Sequence, residues 1–249
     1  MNMKKFTVMV MAGALPAMAL AEGAVHWGYE GHGGPAHWAE LENGNATCGL
    51  GKTQSPINFA ETKKEKLPAI EFNYQPSLLK LLNNGHTVQV NVADGSSIKI
   101  GADQYKLVQY HFHTPSEEQV QGKNFDMVAH LVHKNDAGQL AVVGVLFKKG
   151  KESAALKPVW SKLPEKESAE QTFPEIKVNA AQLLPVAKGY YAFEGSLTTP
   201  PCSEGVRWMV LKQPVELSAA QLSKFSNIVH HNNARPVQPL NGRVVKESL

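Results

Sequence analysis

Two stretches decide the fold: Lys106-Leu107-Val108-Gln109-Tyr110-His111-Phe112-His113 and Met127-Val128-Ala129-His130-Leu131-Val132-His133. Both are rich in aliphatic, β-branched and aromatic residues, which suits a pleated, half-buried surface. In a strand, residues two apart share a face, so His111 and His113 project together. His130 follows after a polar connection that carries Gly122, a spacing that suits two antiparallel neighbours. The third imidazole then reaches the same face. Three neutral imidazoles around a borderline-soft ion make a zinc site with one open position, the mark of a catalytic rather than a structural site. Val132 shares the parity of His130 and lines the same site. His133 has the opposite parity and reads as a structural histidine.

Similar runs lie on either side: Leu78–Leu82, Thr87–Val92, Ser97–Ile100, Leu140–Phe147 and Val206–Leu211. Each lies near turn residues such as Asn83-Asn84-Gly85, Asp94-Gly95 or Asp136-Ala137-Gly138, the pattern of an antiparallel meander. Lys151–Lys162 is expected to be a helix. Ser218–Val229 is a stronger one, with Ser218 as N-cap and Gln221 at the capping-box position. Lys162–Lys177, polar with two prolines, is expected to be a surface loop. His230 and His231 fall at a helix end, and His32 and His37 fall in loops. The fold class that follows is mainly β: one domain around a large, mostly antiparallel twisted sheet with a few short peripheral helices.

The chain has 249 residues, 43% hydrophobic and 19% charged, which excludes collagen-like and disordered classes. Its net charge of +3 comes without long basic runs or interleaved aromatics, so nucleic acid is not an expected partner. Residues 1–21 read as a secretory signal: Lys4 and Lys5, an apolar run from Phe6 to Leu15, and Ala19-Leu20-Ala21 before the cut. Residues 22–249 form the mature domain, expected in the periplasm and free of the membrane once the signal is cleaved. Cys48 and Cys202 are the two cysteines, and an oxidising compartment lets them close a disulfide. So long a loop is worth ~4–5 kcal/mol in the chain-entropy model. A homodimer is left open.

From about His26 to Leu240 the sequence resembles the alpha class of carbonic anhydrases in its bacterial exported form. The resemblance rests on ordered matches: His26-Trp27-Gly28-Tyr29, Gly34-Pro35-Ala36-His37-Trp38, Gln54-Ser55-Pro56-Ile57-Asn58 and Asn83-Asn84-Gly85-His86. These continue through Gln109–His113, Ser116-Glu117, His130–His133, Leu140-Ala141-Val142, Gly195–Pro201 and Asn233-Ala234-Arg235-Pro236. It implies reversible hydration of CO₂ to bicarbonate and a proton by hydroxide generated at Zn²⁺, with His111, His113 and His130 as ligands. Thr198 accepts the hydroxide's hydrogen bond and passes its own proton to Glu117. Val132, Val142, Leu197 and Trp208 form the apolar wall for CO₂, and Thr199 positions bicarbonate. His86 is the proton shuttle, and Tyr29, Asn84 and Gln89 hold the water chain. Cys48 and Cys202 fall where exported members form their disulfide. Cis bonds are expected before Pro56 and Pro201.

One departure concerns zinc. The family places a Glu two residues before the third ligand, where it accepts from the free ring nitrogen; this chain has Val128. Asp126 has the right parity but sits further along the strand. Loss of such a partner costs ~10–100-fold in metal affinity or activity, so zinc is expected to bind but to exchange faster than usual. Two rival readings compete with this one. A catalytically silent zinc- or ligand-binding relative is opposed by the presence of all three histidines. A cupin barrel shares His111-x-His113-x-x-x-Glu117. Against it, Tyr105 stands where that motif needs Gly, and no Pro-x-Gly-x-x-His follows.

Overall fold

The computed structural model describes residues 26–249; the expected signal sequence lies outside the described residues. Among these residues no helix is long and apolar enough to cross a membrane. The strands in chain order are β1 (Asn58–Phe59), β2 (Lys63–Glu65), β3 (Ile70–Asn73), β4 (Ser77–Asn83), β5 (Val88–Asn91), β6 (Ser97–Ile100), β7 (Asp103–His113) and β8 (Gln119–Val120). They continue with β9 (Lys123–Asn124), β10 (Met127–Lys134), β11 (Leu140–Lys149), β12 (Ser168–Val178), β13 (Tyr190–Ser196), β14 (Glu204–Leu217) and β15 (Lys246–Ser248). Four short α-helices accompany them: α1 (Trp38–Leu41), α2 (Thr47–Leu50), α3 (Lys157–Trp160) and α4 (Ala219–Ile228). The main sheet runs β12-β4-β5-β7-β10-β11-β14-β13-β15-β2, with β3 and β6 joined beside β7. A small sheet, β1-β8-β9, lies apart.

Most neighbours in the main sheet are antiparallel, as expected, but β11–β14 and β15–β2 are parallel. The β11 sequence explains its place at a parallel join. Ala141–Phe147 is buried throughout, so both faces of this strand are covered, and such strands read as unbroken apolar runs. Along β10 the faces separate cleanly. Met127, Ala129 and Leu131 enter the larger core with Phe112, Phe147, Trp160 and Phe225. Val128 and Val132 join a second cluster with Ile57, Val142, Leu197 and Trp208. The His130 side chain therefore shares the face of the second cluster.

Two local expectations are corrected. Lys162–Lys177 is a loop only as far as residue 167, because Ser168–Val178 is the edge strand β12, paired among the described residues with β4 alone. Its side chains are largely exposed and Pro174 falls where the register shifts between Phe173 and Lys177. An edge strand tolerates both charge and proline, which is why its composition mimics a loop. The helix expected over Lys151–Lys162 shrinks to Lys157–Trp160, a single turn with Pro near its start. The other helix is as expected: in α4 the Ser218 hydroxyl accepts from Gln221 N–H, and the Gln221 side chain accepts from Ser218 N–H.

Candidate active site

The ladder between β7 and β10 pairs His130 with His111 and Val128 with His113. This register brings the three imidazoles onto one face. Their ring centroids lie 5.0 Å (His111–His113), 5.6 Å (His111–His130) and 4.8 Å (His113–His130) apart. One nitrogen of each ring is engaged. His111 Nδ1 meets Gln109 Oε1 at 2.8 Å, His113 Nδ1 meets the Asn233 carbonyl at 2.7 Å, and His130 Nε2 meets Glu118 Oε1 at 2.9 Å. All three partners accept, so each engaged nitrogen carries the proton. In the neutral rings the opposite nitrogens, His111 Nε2, His113 Nε2 and His130 Nδ1, keep their lone pairs; burial favours the neutral form of all three, but at His130 Glu118 and Glu117 outweigh it and raise the pKa. One ligand atom from each of the three residues lies within 4.8 Å of the others, a set that could hold a metal ion. His113 Nε2 is buried without a hydrogen-bond partner among the described residues. A buried orphan lone pair in a ring of three is costly unless it has a cation to face, so the donor set fits zinc.

Glu117 stands against this set, with Oε2 3.6 Å from His113 Nε2 and 3.7 Å from His130 Nδ1. Its Oε1 accepts the Arg235 backbone N–H at 2.8 Å. Burial pushes its pKa up to about 7; the nearby His130, the Arg235 N–H and a hydrogen bond from Thr198 pull the other way. The Arg235 guanidinium is itself buried. It donates to Gln54 Oε1 and to the carbonyls of Ser55 and Cys48. Burial lowers its pKa to about 10, where it remains charged at neutrality.

Thr198 follows the end of β13. Ser55 and Ser196 lock that end to the 54–58 segment through reciprocal bonds, each backbone N–H donating to the other hydroxyl. A Cβ on Gly195 would overlap Ser55 Oγ, so this approach needs glycine. Beyond it, Leu197 N–H bonds the Ser203 carbonyl and Cys202 N–H bonds the Thr199 carbonyl, around a cis Pro200-Pro201 bond. Cys48 and Cys202 form a disulfide. The Ser55-Pro56 bond is also cis, as expected; a third, Thr114-Pro115, was not anticipated.

The apolar wall follows the sheet register one step from the histidines. Val132 pairs with Val142 across β10–β11, and Val142 with Trp208 across β11–β14. The Trp208 ring sits edge-on to His130 at 4.8 Å, and its Nε1–H donates to the Ser196 carbonyl. Leu197 packs on the same cluster.

A cavity of about 120 Å³ is lined by His111, His113, Gln109, Gln89 and Thr199, with Trp27, Tyr29, Asn84 and His86 at its mouth. The last four also line an outer bowl of about 560 Å³. His86 therefore borders both spaces. Its ring stacks on Trp27 at 3.5 Å and lies 5.2 Å from His26; burial and His26 lower its pKa to about 4. Asn84 acts on the loop: its Oδ1 accepts the N–H groups of His86 and Thr87. Gln89 Nε2 donates to Asn91. The Tyr29 hydroxyl is buried with no partner among the described residues, and burial holds it protonated.

Two further histidines have structural partners. His133 is buried between the Tyr74 hydroxyl and the Ala141 carbonyl, the structural role its parity implied. His231 bonds Ser226 at the end of α4. Asp126 turns away from the site to Lys149.

The sequence reading missed Glu118. The expected acceptor position, Val128, is fully buried in the apolar cluster, and the carboxylate on His130 comes from the loop instead. The only signal was a second acidic residue directly after Glu117, without a cationic neighbour in sequence.

Comparison with known proteins agrees with this geometry. The family model for eukaryotic-type carbonic anhydrase matches residues 33–249. The chain belongs to the alpha-carbonic anhydrase family. A carbonic anhydrase of Klebsiella pneumoniae is 48% identical over 239 residues, covering 94% of this chain and 96% of that one. A carbonic anhydrase of Pectobacterium carotovorum is 44% identical over 228 residues, covering 91% and 93%. The solved alpha-carbonic anhydrase of Thermovibrio ammonificans, a complex with the inhibitor sulfanilamide, superposes with a TM-score of 0.86. It is 43% identical, over 90% of this chain and all of that one. Dioscorin complexed with ascorbate shares the fold at 32% identity and a TM-score of 0.83, so the family's frame also serves a protein solved with a different small molecule.

Proposed function

We propose that this chain is a periplasmic zinc carbonate dehydratase that interconverts CO₂ and bicarbonate, with residues 1–21 removed as a secretory signal. The observation that carries the reading is the trio of imidazoles with one proton-free nitrogen each, facing a single point beside a carboxylate and an apolar wall. His111, His113 and His130 would hold Zn²⁺. When bound, the ion lowers the pKa of water and so supplies hydroxide near neutral pH.

The chain's own groups do the rest. Glu117, ionised, only accepts, so the Thr198 hydroxyl donates to it. That leaves the Thr198 oxygen to accept from the attacking hydroxide and to aim its lone pair at carbon. Burial, with Glu118 on its side and His130, the Arg235 N–H and Thr198 against it, leaves the Glu117 pKa near 7, and a cation held by the three histidines would favour the ionised form. Val132, Val142, Leu197 and Trp208 offer an uncharged substrate a dry wall, and Thr199 takes the product's polar side. The proton leaves past Tyr29 and Gln89 towards His86, at the boundary between inner cavity and outer bowl. On Trp27 that imidazole is neutral at pH 7 but a weak base. Turning off Trp27 removes the burial that causes the shift and makes it a better acceptor.

The test is CO₂ hydration by mature protein alongside its zinc content. Hydration lost in His111→Ala together with zinc, and in Thr198→Ala without loss of zinc, supports the reading. A zinc-loaded wild type without hydration supports the silent relative instead.

A further inference from the structure

Resting on the zinc reading above, we propose that Glu118 is the positioning carboxylate of His130: it takes over from a loop the task that the family gives to the strand position held here by Val128. The His130–Glu118 contact is 2.9 Å, between side chains 1% and 0% exposed. The other Glu118 oxygen is buried with no partner among the described residues, so this carboxylate has one hydrogen-bonding partner and it is His130. An ionised carboxylate is a poor occupant of such a place unless its charge is answered. An imidazole N–H backed by a cation would answer it.

The backbone holds Glu118 from both sides. Its carbonyl accepts the Ser116 hydroxyl at 2.7 Å, and that hydroxyl also accepts the Phe125 N–H at 2.8 Å. The next residue, Gln119, pairs with Asn58 in the small sheet, and β8 turns back onto β9. The small sheet thus fixes the loop that presents Glu118. Val128, meanwhile, is fully buried against an apolar cluster that includes Ile57, Phe59 and Leu146. A carboxylate added there would enter an apolar wall and compete for a nitrogen already engaged. The expectation of weakened zinc binding drawn from Val128 is therefore replaced: the pair Glu118 and Val128 performs the exchange together.

By holding the proton on Nε2, Glu118 keeps Nδ1 proton-free and aimed at the metal position, and its charge makes the ring a more basic ligand. Five mature proteins test this: wild type, Glu118→Gln, Glu118→Ala, Val128→Glu and Glu118→Ala/Val128→Glu. Zinc release to excess chelator is the first readout. Glu118→Ala is expected to release zinc ~10–100-fold faster than wild type, and Glu118→Gln, which can still accept but carries no charge, falls between. Val128→Glu alone does not slow release. The double variant recovers towards wild type, which a purely structural role for Glu118 does not predict. The second readout, ¹⁵N NMR of the metal-free wild type at a pH where the His130 ring is neutral, needs no variant and no bound zinc, and is expected to show the proton on Nε2. Release from Glu118→Gln and from folded Glu118→Ala within twofold of wild type, or a metal-free His130 protonated on Nδ1, overturns the proposal. Failure of the wild type to bind zinc would refute the functional reading instead, and the NMR result would still decide the role of Glu118.

Discussion

Removing the Cys48–Cys202 bond should lower stability without dismantling the site. The bond closes 154 residues of separation. In the chain-entropy model a loop of that size stabilises by about 5 kcal/mol. For a chain of this length each kcal/mol moves Tm by about 2–4 °C, so the loss is about 10–20 °C. The native contacts around the bond are carried by backbone groups that survive its removal. The Cys202 carbonyl accepts from Gln54, the Cys48 carbonyl accepts from Arg235, and the Arg235 N–H binds Glu117. Cys48→Ala/Cys202→Ala, compared with oxidised wild type by calorimetry, should therefore show the Tm fall while zinc content and hydration rate at 25 °C stay within about twofold. A Tm change under about 2 °C would refute the loop-entropy argument. A variant still folded at 25 °C that has lost zinc or rate would show that the bond itself holds the site's geometry.

Other expectations follow from single contacts. Thr198→Ala should cost on the order of 100-fold in kcat/KM with zinc content unchanged, because it removes an aligned hydrogen-bonding group aimed at the reacting oxygen; stopped-flow with metal analysis checks it. Val142→Tyr fills the wall beside Trp208; it should cost about 1–3 kcal/mol of stability by overpacking and on the order of 100-fold in hydration by displacing substrate, read by calorimetry and kinetics. The His86 ring should titrate near pH 4 by NMR, and His26→Ala should move it up only partly, because burial is the larger cause; a midpoint at 6 or above contradicts the stacked geometry. Since the folded pKa lies below the unfolded 6.5, the unfolded chain binds the extra proton first. Stability should therefore fall as pH drops from about 6.5 towards 4, and by less in His86→Gln, read from urea midpoints.

The histidine register was legible because period two is a rigid rule: His111 and His113 had to share a face, and His130 had to reach it from an antiparallel neighbour. The Ser218–Gln221 box marked α4 for the same local reason. The edge strand Ser168–Val178 was not legible, since its exposed charges and Pro174 satisfy the rules for a loop as well as those for an edge. The parallel β11–β14 join was hidden because an apolar run states burial on both faces, not strand direction. Glu118 was invisible for a third reason. A loop carboxylate is placed by Ser116 and by the small sheet, contacts that have no fixed spacing in sequence, so the family resemblance pointed to Val128, strand parity to Asp126, and neither reached the loop.

The central claim is that these three imidazoles carry a zinc that turns over CO₂. Stopped-flow hydration by mature 22–249, with zinc measured on the same sample and an aromatic sulfonamide added in parallel, tests it most directly. One zinc per chain with fast, sulfonamide-sensitive hydration is the expected result. Full zinc with no hydration, or hydration that survives His111→Ala, would contradict it.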